Sequence, residues 1–243
     1  MIEVGFRSAG RSETGLVRSH NEDSMLLNDE AGLWLVFDGM GGHENGALAS
    51  RTAAHAFLDI ELPEDFQSAV TLAADRMHQT NAHLAQLVQE NGGGTMGTTA
   101  VGLLLRGRQF ATIWVGDSRA YIYRQGGLFQ LSVDHTHVQD LLDQGILSPE
   151  DAKGHPMGHV LTRALGVETE VQVDITQDEV APGDRYLLCS DGLSGPVSDT
   201  EIRDLIRKGS PQEAVDAMIE RAYERGAPDN VTAVVIEIGG GQE

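Results

Sequence analysis

The sequence predicts an α+β fold, with antiparallel sheets at the centre and helices packed outside them. Three observations point there. Short runs rich in β-branched and aromatic residues recur along the 243 residues. Stretches with apolar residues at three- and four-residue spacing fall in groups between groups of those runs. Finally, residues 109–131 hold consecutive strand-like runs joined by tight glycine-containing turns, a pattern that parallel βαβ units do not produce.

The strands are expected at 2–6, 24–27, 33–37, 100–105, 109–115, 120–123, 171–176, 185–189 and 231–238. Helices are expected at 45–58, 68–89, 137–144, 199–208 and 211–225. Between these groups, residues 134–166 read as an excursion from the sheet, a flap with one short amphipathic helix and a second helix start at Ser148-Pro149-Glu150-Asp151. We expect residues 1–238 to form a single catalytic domain and 239–243, with Gly239 to Gly241, a flexible tail. No repeat of fixed period is evident.

Composition narrows the partners. A hydrophobic content of 40% is enough for a full core, while 17 Lys plus Arg against 37 Asp plus Glu give a net charge of −20. Such a surface repels nucleic acid and anionic lipid. No basic start followed by an apolar run, and no run long enough to cross a bilayer, is seen, so a cytoplasmic chain is expected. One cysteine, Cys189, fits a reducing compartment and excludes an internal disulfide framework.

Four aspartates carry the functional signal. Asp38 ends the run from Trp34 to Phe37, Asp117 follows Val115-Gly116, Asp191 follows Cys189-Ser190, and Asp229 precedes Val231. In an antiparallel arrangement the exit of one strand lies beside the entry of its neighbour, so carboxylates distant in sequence can meet. Singly, an Asp-Gly or an Asp-Asn is an ordinary turn; four together suit a cation cluster. Oxygen-only donors favour Mg²⁺ or Mn²⁺ over Zn²⁺. Gly39 and Gly192 follow two of these acids, and the lack of a Cβ there permits close backbone approach or a strained turn. Arg18, shortly before Glu22 and Asp23, offers a fork matched to two phosphate oxygens, though in isolation it reads as a surface ion pair. His155 and His159 straddle Pro156 and Gly158 and read as loop histidines.

Seven segments in order resemble the motifs of the metal-dependent protein phosphatases, the PPM or type 2C family: Arg18 to Ser24; Val36-Phe37-Asp38-Gly39-Met40-Gly41-Gly42-His43; Gly97 to Ala100; Val115-Gly116-Asp117-Ser118-Arg119-Ala120; Leu161 to Gly166; Ser190-Asp191-Gly192-Leu193; and Asp229-Asn230-Val231-Thr232. The length is similar to that of the compact bacterial members. The resemblance implies a β-sandwich of two antiparallel sheets flanked by helix pairs, a four-layer αββα arrangement. It also implies two or three Mg²⁺ or Mn²⁺ ions per chain. Asp38 would bridge two ions, with the Gly39 carbonyl on one and Asp191 and Asp229 on the other, and Asp117 with Asp191 would take a third. Glu22 and Asp23 resemble acids that order the ions' waters, and Arg18 the residue that grips phosphate. By the same resemblance a water bridging two cations attacks phosphoserine or phosphothreonine directly. Phosphorylated proteins are the implied substrates, a Ser/Thr kinase the opposing enzyme, and a monomer the expected state.

One position departs from the pattern. Many eukaryotic members carry histidine two residues after the bridging aspartate, where this chain has Met40, leaving His43 or a metal-bound water as candidate general acids. Three rival readings fit the residues less well. A cysteine-dependent phosphatase needs arginine six positions after Cys189, where Gly195 stands. A nucleotide-phosphate loop at 41–46 lacks the Lys-Ser or Lys-Thr pair. A module that binds phosphoprotein without cleaving it would have no need of the complete set of acids.

Overall fold

The computed structural model describes residues 5–90, 94–152 and 154–239, and the side chain of His43 lies outside that description. Among the described residues eleven strands and seven helices follow in the order β1 (Phe6–Glu13), β2 (Asp23–Asn28), β3 (Leu33–Met40), α1 (His43–Ala56), α2 (Phe66–Glu90), β4 (Gly97–Thr98), β5 (Ala100–Arg106), β6 (Gln109–Val115), β7 (Arg119–Arg124), β8 (Gly127–Gln130), α3 (His137–Asp143), α4 (Pro149–Ala152), β9 (Asp174–Glu179), β10 (Arg185–Cys189), α5 (Asp191–Ser194), α6 (Asp199–Ile206), α7 (Pro211–Glu224) and β11 (Val231–Ile238). One sheet has the order β1-β11-β10-β7-β8 and the other β2-β3-β5-β6-β9, with β4 paired to β3 off that path. All the strand pairs are antiparallel.

Side-chain alternation along the central strands makes the layers. On β3, Trp34 and Val36 face the opposing sheet, where they meet Tyr186, Leu188 and Val234, with Phe110 of their own sheet in the same layer. Leu33, Leu35 and Phe37, on the other face of the same strand, pack with α1 and α2 through Ala49, Ala53, Val70 and Met77. The second sheet repeats the scheme: Leu187, Ala233 and Val235 pack on Ile202 of α6 and Val215 and Met218 of α7. Both faces of these strands are covered, so they read as continuous apolar runs. The expected four-layer αββα arrangement is the one observed. Capping boxes at Ser198/Glu201 and Ser210/Glu213 set the starts of α6 and α7.

Three of the four sheet edges differ from expectation, while the fourth, β2, lies where 24–27 placed it. The strand expected at 2–6 runs instead over Phe6–Glu13, and residues 1–4 lie outside the described residues, as do 91–93, 153 and 240–243. Its sequence, FRSAGRSE, is polar because it is a sheet edge, paired only to β11. Likewise β9 begins at Asp174 and not at 171, since its polar residues hold an edge against β6 while Val171 turns into the core. β8 also escaped the sequence reading. It closes a hairpin on β7 through Gln125-Gly126, both at positive φ (52° and 85°), the geometry of a tight two-residue turn.

Between β8 and β9 the chain leaves the sheets. It carries α3 and α4 and is tied back by bridges from Thr136 to Leu161 and from Thr98 to Leu165. Cys189 is fully buried, its thiol pushed up to about 12 by that burial, as core filler requires.

Phe110 is fully buried between the sheets, edge-on to Tyr186 with ring centroids 4.9 Å apart. Phe110→Ala should destabilise the fold by about 3–5 kcal/mol in chemical denaturation. A loss below about 1 kcal/mol would show that the two sheets do not share this core.

Candidate metal centre

The strand ends at one end of the sandwich bring the sequence-predicted residues into a single cleft of about 540 Å³, lined by Arg18, Glu22, Asp38, Gly39, Asp117, Asp191 and Asp229 among others. Both sheets contribute. Asp38 lies in β3, Asp117 just after β6, Asp191 at the first residue of α5 directly after β10, and Asp229 in the turn before β11.

Asp23 sits opposite Asp38 in the β2–β3 register. Its Oδ2 accepts hydrogen bonds from Ser190 (2.8 Å) and Thr232 (2.6 Å), while its Oδ1 is buried with no partner. The strand β3 is pinned at the site by Thr99, whose Oγ1 accepts from the Asp38 amide at 3.1 Å and shares a 2.7 Å hydrogen bond with Ser118. Neither Gly39 nor Gly192 is in a left-handed conformation. They are glycines because a Cβ would lie 2.2 Å from the Gly46 carbonyl oxygen and 1.8 Å from the Asn230 carbonyl oxygen. Close backbone approach, and not a strained turn, is the reason for both.

Arg18 reaches the cleft on a loop fixed by Asn230. The Asn230 side chain donates to the carbonyls of Thr14 (2.8 Å) and His20 (2.9 Å) and accepts from the Glu22 amide (2.9 Å). Arg18 donates to Asp229 Oδ2 at 2.7 Å. On the far side, His159 Nδ1 stands 3.6 Å from Asp191 Oδ2. It is a loop histidine, as its sequence context indicates, yet it faces the acids. Ser190, Thr232, Thr99 and Asn230 carry the architecture of the site, and the sequence reading gave them no role. Their signal was present only as members of the segments Gly97 to Ala100, Ser190 to Leu193 and Asp229 to Thr232. His43 opens α1, and its side chain lies outside the description.

The electrostatics favour a cation. Burial first, then the charges of Asp23, Asp191, Asp117 and Asp229, raise the Asp38 carboxyl well above the ordinary range. Burial raises Asp23 and Asp117 to about 7 each. Among the described residues no three His, Cys, Asp or Glu side chains stand as a ready metal cage, and the outer two carboxylates are paired with Arg18 and His159. The donor set still fits a hard divalent ion: all-oxygen, mutually repelling, with one buried oxygen unpartnered.

Residues 5–141 match the family model described as protein phosphatase 2C. The chain belongs to that family. It is 43% identical over 239 residues to the serine/threonine protein phosphatase PstP of Mycobacterium tuberculosis, covering 98% of this chain and 46% of that protein, so it spans about half of PstP's length. It is 35% identical over 238 residues to the serine/threonine phosphatase stp of Listeria welshimeri, covering 93% of this chain and 94% of that protein. The catalytic domain of PstP in complex with two manganese ions superposes with a TM-score of 0.85 at 38% identity, over 97% of this chain and 99% of that one.

An acid whose folded pKa exceeds its unfolded value is stabilising when protonated, and that contribution is lost as pH rises through the folded pKa. For Asp23 and Asp117 the loss falls between about 4 and about 7. Chelator-treated protein should therefore melt lower at about pH 8 than at about pH 5, less so in Asp38→Asn, and added Mn²⁺ should restore the Tm of the parent protein alone. A Tm indifferent to both pH and Mn²⁺ would contradict this electrostatic picture.

Proposed function

We propose that this chain is a metal-dependent phosphatase that hydrolyses phosphoserine and phosphothreonine in other proteins. The observation that carries the reading is the meeting of Asp38, Asp117, Asp191 and Asp229, drawn from both sheets, with Arg18 in one open cleft. The names of the relatives support it.

In this reading two or three Mg²⁺ or Mn²⁺ ions would be held by Asp38, the Gly39 carbonyl, Asp191 and Asp229, with Asp117 and Asp191 for a third. Glu22 and Asp23 would orient the surrounding water. Bound cations would supply positive charge to the phosphoryl oxygens and lower the pKa of attacking water toward neutrality. Asp23, held by Ser190 and Thr232, adds a second buried carboxyl beside Asp38, and the repulsion between the two is what bound cations would relieve. Arg18 exchanges its pairing with Asp229 for the substrate's phosphate, where its planar fork can engage two oxygens. The Asn230 latch holds the arginine's loop so that this exchange needs only side-chain rotation. For the proton given to the leaving alkoxide, Met40 lines the cleft and has none to offer, so the candidates to test remain His43 and a metal-bound water. Among the described residues no helix is long and apolar enough to cross a membrane. We place the protein in the cytoplasm, as a monomer, opposing a Ser/Thr kinase.

An aryl phosphate and a phosphothreonine peptide should both be cleaved with Mn²⁺ and spared with chelator. Asp38→Ala should lower kcat by roughly a hundredfold or more. Arg18→Ala should raise KM, lowering kcat/KM by about ten- to a hundredfold. Absence of turnover, or turnover indifferent to Asp38→Ala, contradicts the reading. Equal kcat/KM on free phosphoserine and on the peptide contradicts a protein substrate.

A further inference from the structure

A second groove of about 310 Å³ opens directly off the catalytic cleft, since Asp117, His159 and Asp191 line both. Its outer wall is the excursion between β8 and β9, and its inner wall the start of β7 and the end of α5. The outer wall presents Leu142 of α3 and Ala152 of α4, both partly exposed, over the buried Val138 of α3, an apolar strip outside the three core clusters. A groove of this size beside a phosphate cleft can take one side chain of a substrate residue flanking the phosphorylated one.

The charges decide which side chain. Among the described lining residues Arg119 is the one cation of fixed charge, and all three of its nitrogens are engaged. Nε and Nη2 donate to Asp134 at 2.9 and 2.6 Å, and Nη1 donates to the Tyr121 hydroxyl at 3.1 Å. No guanidinium or ammonium on the described lining is therefore free to meet an anion. Exposed acids crowd the outer wall's helices instead: Asp143 on α3, and Glu150 and Asp151 on α4. They sit on a protein of net charge −20.

Resting on the phosphatase reading above, we propose that this groove is a specificity subsite for a lysine or arginine side chain flanking the phosphoresidue. The aliphatic stem packs on Val138 and Leu142, and the cationic head stays at the acidic mouth. A flanking glutamate would be desolvated against apolar wall with no partner and repelled by the rim.

The test uses three phosphothreonine peptides that differ only in carrying Arg, Ala or Glu at positions flanking the phosphothreonine, with aryl phosphate turnover measured alongside. With Mn²⁺, KM for the Arg peptide should be roughly five- to tenfold below that for the Glu peptide at similar kcat. In Leu142→Arg that order should invert, with aryl phosphate turnover unchanged. Equal KM values, or an Arg preference that persists in Leu142→Arg, overturn the subsite while leaving the phosphatase standing. Loss of aryl phosphate turnover in the parent protein overturns the phosphatase itself, and the subsite with it.

Discussion

Carboxylates packed together at the end of a β-sandwich repel one another and resist burial, and the rest of the site is arranged around that cost. Asp38 is flanked by Asp23 across the β2–β3 ladder and feels Asp117, Asp191 and Asp229 as well. Such a cluster is retained only if positive charge sits among the acids, because burial in low dielectric otherwise drives them to protonate. Arg18 and His159 supply part of that charge at the rim, on Asp229 and Asp191. Nothing comparable reaches Asp23 Oδ1, which is buried and unpartnered. Divalent cations answer this demand, and they are also what phosphoryl transfer requires.

The sandwich makes the cluster possible. Ladders fix which residues lie side by side, so β10 and β11 bring Asp191 and Asp229 together, and β3 with β5 and β6 brings Asp38 near Asp117. Two apolar layers and the core between the sheets hold both sheets in register, while the acids project where the strands end. The polar clamps of Ser190, Thr232 and Thr99 then orient the acids. Gly39 and Gly192 allow the backbones to come closer than any side chain would permit.

Central strands such as 109–115, 185–189 and 231–238 were legible because both their faces are buried, leaving uninterrupted apolar runs. Of the edge strands only β2, which still carries Met25 and the buried Leu26, was placed correctly, at 24–27. β1 is built from arginine, serine and glycine, and β9 from acids and threonine, and only the pairing with β11 and β6 makes them strands. In the site, the aspartates were visible because each abuts a strand. Asn230, Ser190 and Thr232 act through partners as many as 216 residues away, as in the bond from Asn230 to Thr14, and no local pattern shows such contacts. His159 likewise sits in a segment with no helical or strand period, and only the fold brings it to Asp191.

The central claim is that these acids gather divalent cations. Crystals grown with MnCl₂ and measured at a wavelength where manganese scatters anomalously test it most directly. We expect anomalous peaks in the cleft between Asp38, Asp191 and Asp229, with Arg18 turned away from Asp229. A well-ordered cleft with no anomalous peak at saturating Mn²⁺, and Arg18 still paired to Asp229, would contradict the account.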